Sequence, residues 1–187
     1  GALAGLMALV IGNTGTDLFA DHPVAETYTY QGITWSVYHD PIPLRIEDLT
    51  EVDYDRWSTE ARVDTSFLGS HGEYRQDARL GEGQWPELRY DIVTVKVPFL
   101  YDLCKQDFID WVARDNDQIP AEYQEEYRSV DPSPWGAEEV LQVYIGDEAV
   151  NQYLLCWPDR LAEVHIPWDW DLTAEQMAII GEKLAAG

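Results

Sequence analysis

The stretch from Ala137 to Ile166 constrains the fold most. Three β-branched and aromatic runs, Glu138–Ile145, Ala149–Trp157 and Leu161–Ile166, are separated by Gly146-Asp147-Glu148 and Pro158-Asp159-Arg160. Short turns rich in Gly, Pro and Asp between such runs mark consecutive antiparallel strands. The middle run is apolar on both alternations, with Val150, Leu154 and Cys156 against Tyr153, Leu155 and Trp157. A strand covered on both faces belongs inside a sheet.

The rest of the chain supplies more strands and two main helices. Thr27–Tyr38 alternates aromatic and polar residues around Gln31-Gly32 and reads as a hairpin. Ala61–Leu68 and Gly72–Leu80 read as two strands joined by Gly69-Ser70-His71-Gly72, and Leu88–Val97 as another. Pro98 suits a first helical turn, where its missing N–H costs nothing. Leu100, Leu103, Cys104, Phe108, Trp111 and Val112 follow at helical spacing. Ala121–Arg128 reads as a second, short helix. In the last helix Thr173 and Gln176 have the spacing of a capping box, and Leu172 and Met177 that of a hydrophobic staple. The fold class is therefore α+β: a mostly antiparallel sheet of about five to seven strands, ending in a three-strand meander. The Phe99–Arg114 and Ala174–Leu184 helices are expected on one face of it.

Three segments divide the chain. Gly1–Gly12 is apolar and uncharged, and shorter than the roughly 20 residues that span a bilayer. It reads as the end of a membrane-spanning or signal segment, the alternative being a buried core helix. Asn13–Glu26 reads as a linker and Thr27–Gly187 as a single domain. No Lys or Arg precedes Arg45, whereas cytoplasmic flanks of a span are usually enriched in them. The domain is thus expected on the extracytoplasmic side, membrane-anchored through its N-terminal segment.

Charge narrows the partners. Twelve Lys and Arg face 35 Asp and Glu, a net charge of −23, so phosphate backbones and anionic headgroups repel the chain and nucleic acid is excluded. A small-molecule, glycan or protein ligand remains. The two cysteines, Cys104 and Cys156, form no C-x-x-C motif. They are either one disulfide, in an oxidising compartment, or two buried thiols.

No nucleophile elbow, phosphate loop or dinucleotide fingerprint is present, and neither a catalytic residue nor a cofactor is expected. The four histidines (His22, His39, His71, His165) are scattered, and no metal site is expected. Asp115-Asn116-Asp117 starts like a calcium loop, but Ile119 and Pro120 occupy positions that need an oxygen ligand and a glycine. Glu125-Glu126, Glu138-Glu139 and Asp169 with Asp171 are carboxylate pairs of the kind glycoside hydrolysis uses, though so acidic a chain contains such pairs by chance. The most distinctive loop is Pro167–Asp171. Trp168, Asp169, Trp170 and Asp171 could stack a sugar or hold a cation; alternatively both tryptophans close the core.

Tyr38–Leu44 through Ile46–Leu49, Tyr101–Cys104, Pro134–Ala137, Asp159–Leu161 and Leu172–Met177 together resemble a family of tails that follow the last membrane span in multi-pass proteins of Gram-positive bacteria. The resemblance implies location and architecture and carries no catalytic residue. The leading expectation is a non-enzymatic extracytoplasmic binding or sensing module. The alternatives are an acidic partner or inhibitor protein that occupies a basic surface, and a carbohydrate-active enzyme using paired carboxylates.

Overall fold

The computed structural model describes residues 24–30, 33–38, 42–52, 55–66, 68–79 and 86–186. The Gly1–Gly12 segment and most of the Asn13–Glu26 linker lie outside the described residues. Among the described residues no helix is long and apolar enough to cross a membrane. Strands β1 (Val24–Tyr30) and β2 (Ile33–Tyr38) form a two-stranded antiparallel ladder, as their alternation predicts.

The main sheet has seven antiparallel strands in the order β3-β4-β5-β9-β8-β7-β6. Strands β3 (Asp55–Ser66), β4 (Gly69–Arg79) and β5 (Glu87–Val95) form one meander. Helix α2 (Pro98–Ala113) then carries the chain to the far edge. Strands β6 (Glu125–Val130), β7 (Glu139–Ile145), β8 (Glu148–Trp157) and β9 (Arg160–His165) return as a second meander until β9 pairs with β5. The last three are the strands read from Ala137–Ile166. Gly146 starts the two-residue turn between β7 and β8 with φ +58°, a conformation that favours glycine.

Both faces of the sheet are apolar, and each has its own cover. On one face Leu88, Tyr90, Ile92, Leu155, Ala162 and Val164 are buried against Trp135 and against Ile180 and Leu184 of α3 (Ala174–Ala186). Leu44, Ile46 and Leu49 complete that layer, the last two from the short helix α1 (Ile46–Leu49). On the other face Val93, Val95, Leu141, Leu154, Cys156 and Leu161 are buried against Leu100, Cys104, Phe108 and Ile109 of α2. The two main helices, expected on one face, therefore lie on opposite faces. The cause is the middle strand: adjacent Leu154 and Leu155 point opposite ways and both are fully buried, each worth about 1.5–3 kcal/mol.

Two local expectations are also corrected. The β3–β4 turn falls before Gly69, so Gly69, Ser70, His71 and Gly72 belong to β4. The helix expected at Ala121–Arg128 is a single 3-10 turn at Ala121–Tyr123 followed by β6. Asn116 explains the switch. Its side chain accepts from the Glu125 N–H (2.9 Å) and donates to the Glu125 carbonyl (2.8 Å), holding the backbone extended for pairing with β7.

Candidate functional site

The α2 face changes character along the strands. Registers place His71, Val93, Leu161 and Cys156 on one rung; Glu73, Asp91, Glu163 and Leu154 on the next; and Arg75, Arg89, His165 and Gln152 on the third. Side chains two apart on a strand share a face. The apolar members lie with the α2 contacts; the polar members, from His71 and Glu73 to Glu163 and His165, form a patch beside them.

Glu163 is the fixed point of that patch. Its side chain is only 7% exposed. Tyr127, from edge strand β6, packs against the α2-face cluster and donates its hydroxyl to Glu163 Oε1 at 2.5 Å. Gln152 Nε2 donates to the same oxygen at 3.0 Å, and His165 Nε2 lies 3.4 Å from Oε2. Burial opposes the charged carboxylate, but the bonds from His165, Tyr127 and Gln152 and the His165 charge outweigh it, so the Glu163 pKa falls below the ordinary range. Burial and the nearby Glu163 charge push the Tyr127 phenol well above its ordinary range. The phenol thus stays a donor and the carboxylate an acceptor.

Asp91, the cross-strand neighbour of Glu163, is also buried. His71 Nε2 lies 3.3 Å from Asp91 Oδ1 and 4.0 Å from Glu73 Oε1. One ligand-type atom from each of His71, Glu73 and Asp91 falls within 4.8 Å of the others. The three side chains are 17%, 40% and 12% exposed, so solvent reaches the group through Glu73. Sequence reasoning expected no metal-ligand set, and this one escaped it. Helical spacings of three or four residues do not apply here. The usable signal is the strand spacing of two, in His71-Gly72-Glu73 and again in Glu163-Val164-His165.

The residues singled out in Pro167–Asp171 lie elsewhere. Asn151 Nδ2 donates to the carbonyls of Pro167 (3.0 Å) and Trp170 (2.7 Å) and pins the loop. Trp170 packs against the α3-face core, whereas Trp168 is 90% exposed and Asp169 and Asp171 are exposed. One tryptophan therefore closes the core and the other stands in solvent. Cys104 and Cys156 are buried in one cluster as thiols, without a disulfide between them. Burial raises both pKa values to about 11; Asp107 adds to the effect at Cys104, and Lys105 opposes it at Cys156. Of the carboxylate pairs, Glu139 is ion-paired with Lys105, Glu126 with Arg128 at 2.6 Å, and Glu138 is exposed. His22 and His39 lie outside the described residues.

No family model, curated protein or solved structure matches the chain.

Proposed function

We propose that this domain is a non-enzymatic binding or sensing module attached to a membrane segment on the extracytoplasmic side, with the polar patch on the α2 face as its ligand site. One observation carries the reading: a buried carboxylate, Glu163, is held ionised by three positioned side chains beside a second buried carboxylate, Asp91. Glu163 itself is satisfied, and the acceptors open to a ligand are Asp91 and the 40% exposed Glu73 beside it, which select ligands that bring positive charge or several donors. A glycosidase needs a carboxylic acid with a raised pKa, and the pKa of Glu163 is lowered. The apolar start, the absence of Lys and Arg before Arg45 and the resemblance to membrane-protein tails support the location.

The test is a thermal-shift screen in EDTA with polyamines, amino sugars and neutral glycans, using the chain and its Glu163→Gln variant. A ligand at about 100 times its Kd adds about 2.7 kcal/mol, a shift of several degrees in a domain of this size. The expected result is stabilisation by at least one donor-rich class, reduced in the variant. Turnover of any of these compounds that disappears with Glu163→Gln would contradict the non-enzymatic reading. On intact cells, the domain is expected to be digested by added protease without lysis; protection until lysis would contradict the location.

A further inference from the structure

We infer that His71, Glu73 and Asp91 form a binding site for a first-row divalent cation such as Zn²⁺ or Mn²⁺. The inference rests on the proposed ligand-binding role of the α2-face patch and gives that patch a ligand class.

The strands build the site. His71 and Glu73 are two apart on β4 and share a face; Asp91 of β5 is registered directly against Glu73, and His71 against Val93 two residues further along β5. The three ligands thus occupy adjacent corners of a two-strand ladder, a rigid frame rather than a loop. Zn–N and Zn–O bonds of about 2.0–2.2 Å place ligand atoms about 3.4 Å apart around a tetrahedral ion. The His71–Asp91 separation of 3.3 Å already fits, and the His71–Glu73 separation of 4.0 Å needs only a small side-chain rotation at a half-exposed glutamate.

The donor set indicates the kind of ion. Imidazole suits Zn²⁺ and other first-row transition ions, whereas Ca²⁺ and Mg²⁺ sites are built from oxygen. Three protein ligands leave at least one coordination position for water or a further ligand.

A second observation concerns charge. Glu73, Asp91 and Glu163 follow Arg62 on one rung across β3, β4, β5 and β9, three carboxylates to one guanidinium, with Asp91 and Glu163 buried. Like charges directly opposite in a sheet are destabilising. Glu163 has its own partners in Tyr127, Gln152 and His165. At the other end of the rung Arg62 of β3 is registered against Glu73, and His71 Nε2 lies 3.3 Å from Asp91 and 4.0 Å from Glu73. A divalent cation held by His71, Glu73 and Asp91 offsets the carboxylate charge that remains on the rung.

The experiment is calorimetric titration of the tag-free, EDTA-stripped chain with ZnCl₂ in moderate salt and excess Mg²⁺, which saturates weak sites on so acidic a surface. One Zn²⁺ per chain is expected, with at least a tenfold loss of affinity in both His71→Ala and Asp91→Asn. Binding that either variant leaves unchanged, or weak binding at many equivalent sites, overturns the inference. If the variants fail to fold, the wild-type chain with Co²⁺ decides: paramagnetically shifted His71 ring resonances support the site, and an unshifted His71 ring overturns it. The EDTA screen separates the two levels. Organic ligands that bind without metal, while Zn²⁺ does not bind, leave the module standing and remove the cation site; failure of both removes both.

Discussion

At the scale of single residues, three changes test why the fold holds. Tyr90 is fully buried, and its hydroxyl accepts from the Leu44 N–H (3.1 Å) and donates to the Leu44 carbonyl (2.9 Å). Gln76 shares that carbonyl, so Tyr90→Phe strands chiefly the Leu44 N–H. An unmet buried donor costs about 1–3 kcal/mol, and the urea midpoint should fall accordingly; an unchanged midpoint would mean that the Leu44 N–H finds another partner. Gly181 lies buried in α3, where an added Cβ would come within 1.7 Å of the Trp135 carbonyl oxygen. Gly181→Ala should therefore destabilise by roughly 1–3 kcal/mol, despite alanine's better helix propensity; a stabilised variant would show that the helix can shift away freely. The thiols make the third case. Cys104 and Cys156 keep their protons up to about pH 11 in the native chain, whereas unfolded thiols lose theirs from about 8.5. The folded state binds more protons across that window, so stability falls as pH rises through it. Urea unfolding at pH 7, 9 and 10 should show the decline, less steep in a Cys104→Ala/Cys156→Ala variant; equal slopes would assign the loss to other groups.

At the scale of elements, local chemistry was legible wherever it was self-contained. The Thr173 capping box is present in both directions, with the Thr173 N–H donating to Gln176 Oε1 at 2.8 Å and the Gln176 N–H to Thr173 Oγ1 at 3.2 Å. Thr173→Ala should cost about 0.5–2 kcal/mol, measured by thermal or urea unfolding; no loss would mean that burial of Ile180 and Leu184 alone holds α3. The final meander was equally readable, because its turns are unambiguous. Elements whose state depends on distant partners were not. Glu125–Val130 carries no strong strand signal and becomes a strand through the Asn116 clamp and the β7 ladder. The β3–β4 turn is hard to place from sequence because two glycines, Gly69 and Gly72, punctuate a segment in which the chain reverses before the first of them.

At the scale of the whole molecule, the sequence conveyed that β8 is buried on both sides, and that pattern already required cover on both faces of the sheet. The site was less legible, because β4, β5 and β9 are brought together only by the return of the second meander: Asp91 and Glu163 are far apart in sequence and meet as cross-strand neighbours. The carboxylates adjacent in sequence go instead to surface ion pairs and solvent, Glu126 with Arg128, Glu139 with Lys105 and Glu138 exposed. The most direct test of the central claim is an NMR titration of the whole chain with Zn²⁺ alone, following backbone amides. The expected result is saturable shifts concentrated at His71, Glu73 and Asp91 and extending across the rung to Glu163 and His165. Shifts spread over the acidic surface, with those strands unmoved, would contradict the assignment of the α2-face patch as a binding site for cations.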